Sequence, residues 1–210
     1  MMKNVNKKII DYIEQNILTQ YDTNIGGHGL EHINQVIERS FEIIKEFNLD
    51  VNLNIAYIVA AYHDLGYKKD PDNHEEVSAK MFIDDKIIQD YFNEEDRKII
   101  YEAIIDHRAS LEYEARSIYG KIVSSADREI SVENMLKRSY LFQKDKHKDE
   151  NPTQDEIIAY SYKKLSSKYG KGGYAKMYYP DKKYLDFINE MQELLENKEK
   201  FISRERKLKL

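Results

Sequence analysis

The chain has 210 residues, of which 41% are hydrophobic and 34% charged, and its formal net charge at pH 7 is -5. A chain of this length and composition fits one folded domain with its own hydrophobic core. The acidic balance disfavours a general nucleic-acid binder and a membrane-surface binder, because both need a basic face. It still permits a local basic pocket for a phosphate group.

The sequence contains no cysteine, which excludes disulfides, thiolate metal sites and cysteine nucleophiles. Any metal must therefore be held by His and carboxylate side chains, a donor set that suits Mn, Fe, Co, Ni or Zn. The stretch from Met1 to Lys8 lacks the apolar core of a signal peptide. No segment approaches the roughly 20 apolar residues of a membrane span. We therefore expect a cytoplasmic protein.

Apolar residues recur at helical spacing along most of the chain, and no segment shows the alternation typical of a strand. One apolar stripe runs from Ile9 to Ile17 and a second from Ile33 to Phe47, while Ile55 to Ala61 indicates a more completely buried helix. Further helices are predicted over His74–Asp90, Glu94–Arg108, Ile118–Arg128, Val132–Phe142, Gln154–Tyr169 and Lys182–Ile202. The sequence therefore predicts an all-α protein, a single helical bundle over residues 1–210.

Local signals mark several helix ends. Asn93 precedes three acidic residues, and Thr153 is followed by Glu156 three positions later, which are typical N-caps. Six of the eight glycines form two clusters, which permit tight turns or a close approach to a ligand: Gly26, Gly27, Gly29, and Gly170, Gly172, Gly173. From Lys198 onward the chain is rich in Lys and Arg, and we expect a solvated tail that frays.

Polar residues with metal-binding potential lie at the ends of the apolar helices. They are His32, His63, Asp64, His74, His107 and Asp127. A single His at a helix end is more often a cap or a surface residue. A buried carboxylate or imidazole, however, is costly unless it is paired or metal-bound. The ordered set, with each member on its own apolar helix, therefore favours a shared metal site.

The order His32, then His63-Asp64, then Asp127 resembles the HD superfamily of metal-dependent phosphohydrolases. The local contexts also match: Gly29-Leu30-Glu31-His32, Ala60-Ala61-Tyr62-His63-Asp64-Leu65-Gly66, and Ser125-Ala126-Asp127-Arg128. The resemblance covers about residues 25–130, which would form the metal-binding core of an HD-type bundle. Residues 131–210 would add C-terminal helices that complete it.

By this resemblance, a first divalent metal ion would be bound by His32, His63, Asp64 and Asp127. His74 and His107 stand where relatives with two metals place two further histidines, and Asp64 would then bridge the ions. One ion and two ions both stay open, with Mn, Fe, Ni, Co or Zn as candidates and Mg as a further option. If only one ion binds, His74 is an ordinary residue at a helix N-terminus.

The resemblance also implies a mechanism in which metal-activated water attacks a phosphoester, which makes Asp64 catalytic as well as a ligand. Lys68 and Arg128, which follow the HD pair and Asp127, are the predicted cationic groups that hold the phosphate. Weaker candidates for the same role are Lys69, Arg108, Lys171 and Lys176. His28 is either a substrate-facing group or an N-terminal cap, and His147, in a charged loop, is expected to take no part.

Differences from better-defined HD proteins exclude some of the possible substrate classes. Asp64 is followed by Leu65-Gly66-Tyr67 instead of the acidic pair of HD alarmone hydrolases, and the chain lacks the Gly-Tyr-Pro element of cyclic-di-nucleotide phosphodiesterases. We expect a small phosphorylated substrate, with nucleotides favoured. Near the second glycine cluster, Tyr174, Tyr178 and Tyr179 are candidates to stack on a base, although packing is the commoner use of such residues.

Two alternatives to hydrolysis stay open. Some HD proteins hold two irons and activate oxygen, and the ligand set alone does not separate these from hydrolases. A non-catalytic regulatory or binding protein with the HD fold is the other alternative, although the complete ligand set argues against it. The sequence predicts no oligomeric state.

Overall fold

A computed structural model describes residues 4–23, 29–175 and 177–208, with the side chains of residues 22 and 23 excepted. Within these ranges the regular structure is entirely helical and contains no strand, which confirms the predicted all-α fold. None of the helices in the described ranges is long and apolar enough to cross a membrane.

A first compact unit comprises residues 1–127 and 177–179. Its helices are α1 Lys7–Asn16, a 3-10 helix Leu18–Thr23, α2 Leu30–Glu46, α3 Leu53–Tyr62, α4 His74–Asp84, α5 Lys86–Gln89, α6 Glu94–Ile105 and α7 Ile118–Ala126.

A second compact unit comprises residues 128–176 and 180–210. Its helices are α8 Val132–Lys146, a 3-10 helix Lys148–Glu150, α9 Gln154–Tyr169, α10 Lys182–Glu196 and α11 Lys198–Arg206. Folding of the two units as one domain remains a prediction.

Helix α3 lies at the centre of the first unit. Every residue from Ile55 to Tyr62 is buried, as the continuous apolar run predicts. Helix α2 is amphipathic instead and buries the stripe that includes Ile33, Val36 and Ile44. Helix α3 ends immediately before His63, so this residue and Asp64 follow the buried run and also lie in the interior.

Two predicted helices are each interrupted by a polar residue. The segment 74–90 divides at Asp85, whose carboxylate accepts hydrogen bonds from the Tyr12 and Tyr62 hydroxyls and from the Ile88 amide. The segment 182–202 divides at Asn197, which caps α11. The helical spacing of apolar residues continues through both positions, so it does not reveal either break.

The expectation of a frayed C-terminal tail is wrong. Residues from Lys198 to Arg206 form α11, in which Phe201 is fully buried and Glu205 is 2% exposed. The basic composition predicts solvation, but one deeply buried aromatic side chain is enough to dock a helix of this length. The Asn93 cap and the capping box of Thr153 with Glu156 are confirmed.

Gly66 allows the turn after Asp64 to lie unusually close to α4. A Cβ atom at this position would lie 2.7 Å from the His74 carbonyl oxygen and 2.8 Å from the Ser78 amide nitrogen. The Gly66 amide donates a hydrogen bond to Ser78 Oγ at 2.9 Å. Only glycine fits between these backbone atoms, so Gly66 sets the distance between the turn and the helix that begins at His74.

We expect Gly66→Ala to lower the free energy of unfolding by about 1–3 kcal/mol, because the added methyl group must push α4 away from the turn. Urea unfolding followed by circular dichroism measures the change. Lys80→Ala on the exposed face of α4 is the control and should change stability by less than about 0.5 kcal/mol. Wild-type stability of Gly66→Ala would contradict the close approach.

Candidate metal centre

Six side chains converge within the first unit and form two groups that share Asp64. The first group is His32, His63, Asp64 and Asp127, and the second is Asp64, His74 and His107. Within each group the potential ligand atoms all lie within 4.8 Å of one another. The structure thus brings together the six residues that the sequence analysis assigns to a metal site.

These residues lie at or next to the ends of helices. His32 lies in the first turn of α2, and His74 is the first residue of α4. The other four follow the last residues of α3, α6 and α7: His63, Asp64, His107 and Asp127. Each of the six residues thus enters the core at or near a helix terminus.

The two oxygens of Asp64 face different histidines. Asp64 Oδ2 lies 3.3 Å from His63 Nε2 and 3.5 Å from His32 Nε2. Asp64 Oδ1 lies 3.2 Å from His74 Nε2 and 3.5 Å from His107 Nε2. Asp64 is only 1% exposed, so these imidazoles take the place of water around its carboxylate.

Asp127 completes the first group from the end of α7. Its Oδ1 atom lies 3.1 Å from His32 Nε2 and 3.9 Å from His63 Nε2. Burial raises the pKa of Asp127, but the hydrogen bond with His32 and the charge of His63 outweigh burial and lower it well below its usual range. Asp127 is therefore a carboxylate at every physiological pH.

Three of the histidines have the same orientation, fixed by their own backbone. His63 Nδ1 lies 2.8 Å from the Ala60 carbonyl oxygen and His107 Nδ1 lies 2.6 Å from that of Ile104. His74 Nδ1 lies 3.0 Å from the Pro71 carbonyl oxygen. A carbonyl only accepts hydrogen bonds, so each Nδ1 carries a proton, and Nε2 is the nitrogen that presents a lone pair whenever the ring is neutral.

This tautomer makes the second group a cluster of acceptors. His74 Nε2 and His107 Nε2 are 3.2 Å apart, and both face Asp64 Oδ1. Lone pairs at this separation repel one another unless a cation, either a proton or a metal ion, lies among them. In the first group His63 Nε2 is buried and makes no hydrogen bond among the described residues.

These distances fit metal coordination. Ligand atoms about 2.1 Å from a common ion lie roughly 3.0 to 4.2 Å from one another. The observed separations around Asp64 and Asp127 run from 3.1 to 3.9 Å. Imidazole with carboxylate is also the donor set expected for a cysteine-free site. The residues present therefore fit one divalent ion in each group.

The two groups differ in how they hold protons. Burial lowers the pKa of His32, but hydrogen bonds and charge from Asp127 and Asp64 outweigh burial and raise it to about 10. His63 likewise has a raised pKa, because the Asp64 carboxylate outweighs the effect of burial. His74 has a lowered pKa, because burial and the charge of His107 both disfavour its protonated form. A metal ion would displace protons mainly from the first group.

The two predicted cationic groups, Lys68 and Arg128, differ in their exposure to solvent. Lys68 is exposed on the turn that follows Asp64. Arg128, the residue after Asp127, is buried and belongs to the second unit. Their roles as phosphate-binding residues stay predictions.

Other candidates from the sequence already have partners or are not described. Arg108 pairs with Glu75 at 2.7 Å, and Lys171 pairs with Glu196 at 2.6 Å. His147 stacks on Tyr160 in the second unit. Several positions lie outside the described residues, namely Gly26, Gly27, His28 and Lys176.

Tyr178 and Tyr179 pack within the first unit. The Tyr178 hydroxyl accepts a hydrogen bond from the Ala115 amide at 3.0 Å, and the Tyr179 ring lies 5.3 Å from that of Phe47. Tyr174 is 54% exposed. The two packed rings thus have the commoner structural use, and base stacking by any of the three stays a prediction.

The sequence analysis missed two buried charges that support the ligands. Asp106, adjacent to His107, is fully buried and accepts from the Arg116 guanidinium at 2.7 Å, which anchors the loop after His107. Arg39, 5% exposed, donates to the Ala126 carbonyl oxygen next to Asp127. The seven-residue spacing from His32 to Arg39 was an available signal, because it places both on one face of α2.

Comparison with known proteins gives one result. A search of curated proteins and a search of solved structures each found no significant match to this chain. A family model described as HD domain matches residues 29–130. The matched segment contains all six clustered residues and ends just after Asp127. Residues 29–130 are therefore an HD domain.

Proposed function

We propose that this protein is a metal-dependent phosphohydrolase that acts on a nucleotide or a related small phosphoester. The observation that carries the proposal is the position of Asp64, whose two oxygens each face a separate pair of imidazoles. Such a carboxylate is suited to bridge two divalent ions about 3.5–4 Å apart. The metal ligands proposed are His32, His63, Asp64, His74, His107 and Asp127.

When bound, divalent ions would generate the nucleophile from water at neutral pH and polarise a phosphoryl oxygen. The chain itself supplies the fixed geometry. Backbone carbonyls orient the rings of His63, His74 and His107 so that each Nε2 points to Asp64. Because the rings already have this orientation, they need not reorganise when the transition state forms.

Lys68 is proposed to hold a substrate phosphate beside the site. It follows Asp64 by four residues and is exposed, and its flexible stem lets the ammonium group reach a phosphate near the turn. Arg128 is proposed for the same role on its adjacency to Asp127 in the sequence. Preference for nucleotides rests on the family resemblance.

The proposal is tested by metal analysis of the purified protein, followed by a panel of phosphoesters with that metal added. Bis(p-nitrophenyl) phosphate, p-nitrophenyl phosphate and nucleoside mono- and triphosphates cover the main substrate classes. Hydrolysis of any of them supports the proposal. Bound iron with oxygen-dependent turnover would indicate the oxygenase alternative, and bound metal with no turnover the regulatory one.

Replacement of the shared carboxylate should empty the site. Asp64→Asn keeps the volume of the side chain but removes the charge that both groups need, so we expect loss of bound metal and of activity, with the helical far-UV signal retained. Asp181→Asn is the matched control, because it also neutralises a buried aspartate, which caps α10 in the second unit. It should lose stability and keep its metal. Near-stoichiometric metal in Asp64→Asn would contradict the assignment.

The second group is tested by its histidines. We expect His107→Ala, and likewise His74→Ala, to reduce the bound metal from about two ions to about one, and the rate by roughly 100-fold, because one oxygen of the displacement loses its ion. His147→Ala, in the second unit, is the control and should match the wild type. One metal per wild-type chain under saturating Mn²⁺, with both variants fully active, would reduce the site to a single ion.

Metal binding should release protons. Because the pKa of His32 is about 10, its ring is protonated at pH 7 and must lose that proton to coordinate. Apparent affinity should therefore rise with pH, by up to about tenfold per unit for each proton released. Titration calorimetry with Mn²⁺ at pH 7, in buffers of different ionisation enthalpy, counts these protons. A binding enthalpy independent of the buffer would contradict the expected release.

A further inference from the structure

The last carbonyls of α3 lie at the point where the ligands begin, and side chains satisfy two of them. Carbonyl groups in the last turn of a helix lack the usual backbone donors. The Ala60 carbonyl oxygen takes the Nδ1 proton of His63, at 2.8 Å. The Ala61 carbonyl oxygen accepts from the hydroxyl of Tyr21, also at 2.8 Å. Tyr21 lies 40 residues earlier in the chain.

The same hydroxyl also lies near the backbone of Asp64. Burial raises the pKa of Tyr21 well above its usual value, and the nearby backbone N–H of Asp64 acts in the opposite direction. One hydroxyl group, which donates to the carbonyl of Ala61, therefore also faces the amide of Asp64, three residues later. It occupies the place of the direct backbone bond that would otherwise close this turn, as the Tyr62 carbonyl and the Leu65 amide do one residue later, at 3.0 Å.

Tyr21 is fully buried, so its hydroxyl is not exposed to bulk solvent. It belongs to the 3-10 helix Leu18–Thr23, which precedes the segment 29–130 matched by the HD domain model. The chain before the HD domain thus contributes a polar group to the turn that carries His63 and Asp64.

We propose that Tyr21 is a positioning residue for the metal centre, whose hydroxyl opens the turn after α3 and sets the direction of the Asp64 carboxylate. The inference rests on the proposed function, since it concerns the ligands of that site. Without the hydroxyl, the Ala61 carbonyl and the Asp64 amide either bond directly to each other or stay unpaired. Each outcome moves the backbone from which Asp64 reaches both groups of histidines.

Tyr21→Phe removes only the oxygen and retains the ring in the core. The matched control is Tyr119→Phe, because the Tyr119 hydroxyl accepts a hydrogen bond from the Asn52 amide, at 2.9 Å, at the opposite end of the same helix. Both variants delete one buried tyrosine hydroxyl that binds the backbone of α3. A purely structural role for Tyr21 predicts the same behaviour for both.

Two measurements on the full chain separate the roles. In Mn²⁺ titrations we expect Tyr21→Phe to weaken binding by about 10-fold or more, as loss of an outer hydrogen bond to a metal ligand does, and Tyr119→Phe to match the wild type. Hydrogen exchange, followed by NMR in metal-free protein, should be about tenfold faster at the Asp64 amide in Tyr21→Phe only.

Mn²⁺ affinity of Tyr21→Phe within about twofold of the wild type, or an equal loss in both variants, would overturn the inference. If the wild-type protein binds no Mn²⁺, the proposed function fails on that result alone. The exchange measurement then still decides the role of Tyr21, because unchanged exchange at the Asp64 amide would show that its hydroxyl does not hold the turn.

Discussion

A carboxylate taken out of water needs positive charge or hydrogen-bond donors around it, and Asp64 imposes this requirement on the centre of the first unit. An isolated buried ion costs several kcal/mol, far more than the packing of one side chain returns. At 1% exposure, Asp64 is surrounded by four imidazoles, each contributed by a different helix end or by the adjacent residue. The packing of α2, α3, α4 and α6 brings those rings into place.

The rings satisfy the two oxygens of Asp64 unequally. The pKa values of His32 and His63 are raised, so these rings can offer a proton to the carboxylates of the first group. His74 and His107 instead direct Nδ1 to a backbone carbonyl and turn Nε2 towards Asp64 Oδ1. The His74 and His107 nitrogens, 3.2 Å apart, add a further repulsion. The second group therefore consists of acceptors held close together, an arrangement that a cation would stabilise. A bound metal ion would offset the cost of assembling these acceptors.

Groups outside the cluster hold this arrangement from several directions. Gly66 permits the approach of α4 that brings His74 to Asp64, and the Asp106–Arg116 ion pair anchors the loop that leaves His107. Arg39 satisfies a carbonyl beside Asp127, and Tyr21 does the same beside Asp64. Each acts on the backbone next to a ligand, which is how small shifts in a ligand are prevented.

The fold class was accessible from the sequence because helical spacing is a local pattern, and the six clustered residues were accessible because their order and contexts resemble the HD superfamily. The apolar run of α3 and the caps at Asn93 and Thr153 need only neighbouring residues. The break at Asp85 was not accessible, since it depends on hydroxyls of Tyr12 and Tyr62 that are distant in the chain.

Two further features depend on tertiary contacts that no local pattern shows. The segment from Lys198 is rich in Lys and Arg, which predicts a solvated tail. Burial of Phe201 holds this segment as α11 instead. Nothing local distinguishes Tyr21 from the other tyrosines of a chain that has 17. The metal ligands also do not identify the substrate. They determine the type of reaction, whereas other residues determine the shape of the molecule that binds.

The central claim is that one buried carboxylate serves two metal sites. A crystal of the protein saturated with Mn²⁺, measured at the manganese absorption edge, tests it most directly. The account predicts two anomalous peaks about 3.5–4 Å apart on either side of the Asp64 carboxylate, one beside His32 and Asp127 and one beside His74 and His107. A single peak at Asp64 in a saturated crystal, or manganese bound only elsewhere on the chain, would contradict it.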